Sequence, residues 1–148
     1  MVGDIAKNFS LKDQHGDEFE LYKYLDKRIL LVFYPRDDSP VCTLQLSNYE
    51  KYLNEFEKNN IYVVGINTAA KDSHFSFCNK LKLNFPVLSD ISKQISKNYK
   101  ALNLLGINKR KLVLIDTNKR ILFEEAILSF YYLKAGQILN KVNSNNFI

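Results

Sequence analysis

At 148 residues, 46% hydrophobic and 25% charged, the chain has the size and composition of one ordinary globular domain (1–148) that can bury a core without disulfides or metals. Its net charge of +5 comes from lysines interleaved with acids, as in Asp26-Lys27-Arg28, which describes a solvated surface and argues against a nucleic-acid partner. The apolar run Ile29-Leu30-Leu31-Val32-Phe33 is far too short to span a bilayer, and Met1-Val2-Gly3-Asp4 lacks the basic-then-apolar layout of a secretory signal, so a cytoplasmic chain without a membrane partner is expected.

In chain order, Phe9-Ser10-Leu11 and Phe19-Glu20-Leu21 flank Asp13-Gln14-His15-Gly16-Asp17, the pattern of an N-terminal β-hairpin. Arg28 to Tyr34 is a continuous apolar run ending at Pro35, as in a fully buried strand. Leu44, Leu46, Tyr49, Tyr52, Leu53 and Phe56 then recur at helical intervals, which predicts one helix from Val41 to Lys58. Its stripe Tyr49, Tyr52, Phe56 is expected to be part core and part surface. The β-branched run Ile61 to Ile66 is a second buried strand, and Asp72 or Ser73 can cap a helix running to Leu81. Phe85 to Leu88 is a brief extended piece, followed by a helix from Ile91 to Tyr99. Lys111 to Asp116 and Arg120 to Glu125 form a hairpin around Thr117-Asn118-Lys119. A last helix is expected from Ser129, with a fraying tail at 143–148. Strand, helix, strand, helix, hairpin, helix describes an α/β fold: a central mixed sheet flanked by helices, thioredoxin-like, with an N-terminal hairpin.

The two cysteines, Cys42 and Cys78, are either buried inert thiols or a redox pair, and their spacing alone does not decide. The surroundings of Cys42 are more informative. It starts a predicted helix just beyond the C-terminal end of a buried strand, where ligands of open α/β sheets collect. Free N–H groups and the partial positive charge of a helix N-terminus favour a thiolate, the nucleophilic form. Pro35 and Pro40 bracket the loop and restrict it, and Ser39 can bring a hydroxyl near the sulfur and a substrate.

The segment Tyr34-Pro35-Arg36-Asp37-Asp38-Ser39-Pro40-Val41-Cys42-Thr43 resembles the peroxiredoxin signature Pro-x-x-x-Thr/Ser-x-x-Cys, closest to the bacterioferritin comigratory protein, or PrxQ, subgroup. Val2 to Phe9, Asp72-Ser73-His74-Phe75 and Phe85 to Asp90 resemble further stretches of it, with Lys7 where proline is usual. Arg110, six residues before Asp116, falls at the position of the family's active-site arginine. The resemblance implies a thiol-dependent peroxidase acting on hydrogen peroxide and organic hydroperoxides, without cofactor or metal, as a monomer recycled by a thioredoxin-type protein. It implies that Cys42 is the peroxidatic nucleophile and that Arg110 supports the thiolate and polarises the peroxide. Ser39 stands for the commoner threonine, and Pro35 shields the pocket.

Many members of the subgroup carry a resolving cysteine five residues after the peroxidatic one, where this chain has Ser47. Another branch resembles this chain in placing it in the helix that contains Cys78. The resemblance therefore implies an intramolecular Cys42–Cys78 disulfide, against a one-cysteine enzyme in which Cys78 only packs. Two thiols on separate helices rarely approach to disulfide distance, so the first turn around Cys42 and the helix around Cys78 are expected to unwind in part.

Other residues carry less. His15 and His74 lack the short ligand spacing of a zinc site, and His74 is expected at the surface near a helix start rather than as a base. Phe130-Tyr131-Tyr132 is expected to pack rather than to form a contact patch. A thiol–disulfide oxidoreductase would need Cys-x-x-Cys, but Gln45 occupies the fourth position. A non-catalytic binding or holdase module would be favoured by loss of Ser39, Cys42 or Arg110, and all three are present.

Overall fold

The computed structural model describes residues 1–128 and 131–144. An N-terminal hairpin, β1 (Ser10–Lys12) and β2 (Glu18–Glu20), turns at Gly16, whose φ of 84° suits a residue without Cβ. The Asp13 carboxylate closes the turn by accepting the backbone N–H groups of His15 and Asp17. A 3-10 turn at Leu21–Tyr24 leads into β3 (Arg28–Phe33), followed by helices α1 (Pro40–Lys51) and α2 (Leu53–Lys58). Then come β4 (Ile61–Asn67), α3 (Lys71–Leu81), β5 (Val87–Ser89), α4 (Gln94–Asn98), the hairpin β6 (Arg110–Ile115) and β7 (Ile121–Ile127), and α5 (Ala135–Ser144).

The strands form one seven-stranded mixed sheet in the order β2-β1-β5-β4-β3-β6-β7. β3 pairs in parallel with β4 and β4 with β5, while β6 runs antiparallel to β3. A central strand covered on both faces must be apolar where it is buried, and β3 is so from Ile29 to Phe33, its side chains alternating between two cores. Leu30 and Val32 join Leu46, Tyr49, Phe56, Phe77 and the helices α1, α2, α3 and α5. Ile29, Leu31 and Phe33 face Phe9, Phe19, Tyr99, Val113 and Ile115 on the other side.

Four helix expectations change. The segment 41–58 is two helices, interrupted at Tyr52, whose backbone (φ −104°, ψ 19°) leaves helical values. The break re-aims Phe56, so that its ring meets Tyr49 edge to face at 6.0 Å in the core, while Tyr52 stays at the surface. The helix expected from Ile91 is only Gln94–Asn98, because Lys93 adopts a left-handed φ of 64°. Asp90, fully buried, caps it instead by accepting the N–H of Ser96 at 2.6 Å. Helix α3 starts at Lys71, earlier than the expected caps Asp72 and Ser73, and the Ser73 hydroxyl is spent elsewhere.

The last helix starts at Ala135, and Ser129 and Phe130 lie outside the described residues. Asn48 fixes this start by accepting the Ala135 N–H at 2.7 Å, and Ala135, Ile138 and Val142 enter the core. Asn143 belongs to the helix rather than to a frayed tail, while Asn145 and Asn146 lie outside the described residues. Tyr131 is 56% exposed, so the packing role expected for it does not hold. No helix among the described residues is long and apolar enough to cross a membrane.

Candidate active site

The loop between β3 and α1 sets the site. Asp38 takes a left-handed φ of 61°, Ser39 is extended, and Pro40 opens the helix at a position that needs no N–H. The Ser39 hydroxyl accepts the backbone N–H of Cys42 at 3.2 Å, a helix cap that fixes the first turn. Cys42 is thereby held one turn into α1 at the C-terminal end of β3, with its side chain fully buried.

Arg110, the first residue of β6, reaches it across the sheet. The Nη2 group donates to Cys42 Sγ at 3.2 Å, and Nη1 donates to Gln45 Oε1 at 2.5 Å. Arg110 is 1% exposed, so this permanent cation acts in a dry environment, where a charge-assisted contact to sulfur counts for more than in water. Gln45 in turn donates through Nε2 to the Tyr49 hydroxyl, which donates to the Leu133 carbonyl at 2.7 Å. Burial pushes the Tyr49 phenol well up, so it stays a neutral donor. Sequence reasoning passed over Gln45 except as the missing second cysteine. Its signal was its place three residues after Cys42 on one helix face, where a buried polar side chain needs a partner.

A pocket of about 400 Å³ opens over this assembly, lined by Pro35, Arg36, Ser39, Pro40, Val41, Asn103, Ile107, Asn108 and Arg110. Four of the five site residues named from sequence, Pro35, Ser39, Cys42 and Arg110, are thus brought together, Cys42 behind the Arg110 wall.

The fifth, Cys78, lies on α3 in the same core, 4% exposed, and both thiols are free. Helix α3 buries His74, Phe77 and Cys78, the spacing of one helical face. Burial, with the nearby carboxylates of Asp37 and Asp13, pushes the Cys78 thiol up to about 12. In this conformation it is a thiol, not a nucleophile.

His74 is not the surface residue expected: it is fully buried, with Nδ1 2.8 Å from Asp37 Oδ2. The same carboxylate accepts the hydroxyls of Ser73 and of Tyr34, the latter at 2.6 Å. The cluster pins the start of α3 to the active-site loop. Burial works against ionisation of Asp37, but the bond and charge of His74, with the Ser73 and Tyr34 donors, outweigh it and hold the carboxyl below its usual range. His15 stands apart, edge-on to Phe75. Among the described residues no group of three or more His, Cys, Asp or Glu side chains is placed to share a metal ion.

A cysteine one turn into a capped helix is thus faced by a buried arginine. The profile of the AhpC/TSA family matches residues 2–123, which include every one of these groups. The chain belongs to the AhpC/TSA family. Among its relatives is a chain named as a peroxiredoxin of the Bcp kind in Helicobacter pylori, 34% identical over 143 residues that cover 95% of this chain and 94% of the relative. Peroxiredoxin Bcp of Escherichia coli is 36% identical over 98 residues, 66% of this chain and 63% of that one. The crystal structure of the peroxidoxin BcpB of Mycobacterium tuberculosis superposes with a TM-score of 0.85 at 26% identity, covering 99% of this chain and 97% of that one. This protein is therefore a peroxiredoxin of the Bcp/PrxQ type on a thioredoxin-like fold, a thiol-dependent peroxidase.

Proposed function

We propose that Cys42 is the peroxidatic nucleophile of this peroxiredoxin, that Cys78 resolves it, and that a thioredoxin-type protein regenerates both thiols. The observation that carries the reading is the Arg110 guanidinium, 3.2 Å from Cys42 Sγ and anchored on its far side by Gln45. A cation so placed favours the thiolate and then faces the oxygen on which charge develops as the O–O bond breaks. The Cys42 thiolate attacks the terminal oxygen of a hydroperoxide from the pocket side. The S–O bond forms, the O–O bond breaks, and sulfur loses two electrons. The departing oxygen takes a proton and leaves as water or an alcohol, and Cys42 becomes a sulfenic acid. The Cys78 sulfur then displaces water from this group to give the Cys42–Cys78 disulfide, which an external dithiol reduces by exchange.

A second reading has its own observation. Cys78 packs within the core, 4% exposed and held as a thiol, as a structural cysteine would be. In that case Cys42 would be reduced directly by an external thiol. Intact mass and peptide mapping after one equivalent of hydrogen peroxide separate the two. A loss of about two mass units at Cys42 and Cys78 supports the disulfide. Added oxygen on Cys42 alone leaves a one-cysteine peroxidase. No rapid change at either thiol overturns the assignment of Cys42.

A further inference from the structure

Resting on the assignment of Cys42 above, we propose that Asn108 is a substrate-contacting residue of this site, its carboxamide hydrogen-bonding the hydroperoxide beside Arg110. Asn108 is 2% exposed, and neither its Nδ2 nor its Oδ1 has a hydrogen-bond partner among the described residues. A buried carboxamide with both groups unmatched is rare in a stable fold, because each lost water bond goes uncompensated. This one lines the same pocket as Ser39 and Arg110, the two side chains that hydrogen-bond Cys42. A hydroperoxide has complementary groups: one O–H to donate and two oxygens to accept.

The backbone holds the side chain ready. Asn108 forms an isolated antiparallel bridge with Leu102, and the next residue, Lys109, donates its N–H to the Ala101 carbonyl. Between them Asn103 ties the loop by accepting the N–H groups of Leu105 and Ile107, and Gly106 makes the turn with a φ of 73°. In extended chain, residues two apart share a face, so Asn108 presents its side chain on the side of Arg110. The two donors then flank the reacting oxygens: Arg110 at the sulfur end, Asn108 on the peroxide. As the thiolate takes the terminal oxygen, the Asn108 N–H hydrogen-bonds the oxygen that leaves with the electron pair, and its carbonyl oxygen accepts a hydrogen bond from the peroxide hydroxyl, whose hydrogen stays with the oxygen transferred to sulfur.

Asn108→Leu keeps the size and removes the polarity, and Asn108→Ala is the second variant should leucine fail to fit. The rate constant for oxidation of Cys42 by hydrogen peroxide is measured by stopped flow, beside that for alkylation of Cys42 by iodoacetamide, mapped by peptide. The expected result is an oxidation rate lower by about 10- to 100-fold with alkylation within about twofold of the parent, since a donor aimed at developing charge acts only in that reaction. Unchanged oxidation in a folded variant, or an equal fall in both reactions, overturns the proposal. Failure of the unaltered protein to oxidise at Cys42 would instead overturn the site assignment on which it rests.

Discussion

The guanidinium of Arg110 does two things at once, and no other side chain can do both. Its planar fork places one nitrogen on Cys42 and another on Gln45, whereas a lysine offers a single point charge. Arg110→Lys is therefore expected to lower the rate of Cys42 oxidation by about 100-fold or more while the protein stays folded, read as kcat/KM for hydrogen peroxide. Gln45→Ala should lower it less, about tenfold, because the arginine keeps its charge but loses its anchor; a loss equal to that of Arg110→Lys would refute the anchoring role. Asp37 makes a different prediction, about stability. Its folded carboxyl titrates below its ordinary value, so the cluster with His74, Ser73 and Tyr34 stabilises the fold fully above about pH 4. That contribution is lost as pH falls through the depressed folded value. Urea midpoints of the parent and Asp37→Asn should differ at pH 6 and converge towards pH 2 to 3. A gap that stays constant with pH would mean that the charge of Asp37 contributes nothing.

At the scale of elements, the question is how a thiol inside α3 meets one inside α1. Both helices are formed, both sulfurs are buried, and Cys78 is held protonated, so the proposed disulfide is expected to form with both segments opened. The Asp37 cluster is the latch at the start of α3, and the exposed pair Lys80–Asp38 adds little near its end. Hydrogen exchange should show the first turn of α1 and the whole of α3 losing protection on oxidation with one equivalent of peroxide. Equal protection in both redox states would exclude the intramolecular disulfide in this form. The short helix α4 and the split of α1 from α2 belong to the same scale. Each boundary is set by one backbone position, Lys93 or Tyr52, and by what its neighbours bury.

For the whole molecule, the C-terminal helix proves to be part of the site's foundation. Ile138 is fully buried against the core that contains Cys42, and the Leu133 carbonyl ends the chain of bonds running from Arg110 through Gln45 and Tyr49. Ile138→Ala should lower unfolding free energy by about 2 to 5 kcal/mol in urea titration, as for other fully buried aliphatic side chains. A change under about 1 kcal/mol would mean that α5 is only loosely attached.

The sequence by itself determined the sheet and the local setting of Cys42, the proposed nucleophile. Fully apolar runs such as Ile29–Phe33 have no alternative to burial, and Ser39-Pro40-Val41-Cys42 carries its own cap, its own helix start and its own thiol within four residues. Such signals are local, and local physics reads them. Only the tertiary structure decided what depends on distant partners. Gln45 became an anchor because Arg110 arrives from a strand 65 residues later. His74 became buried because Asp37 reaches it from 37 residues earlier. Periodicity could not foresee either, since the pairing of polar side chains across a fold depends on where the whole chain places them, not on the pattern within one element.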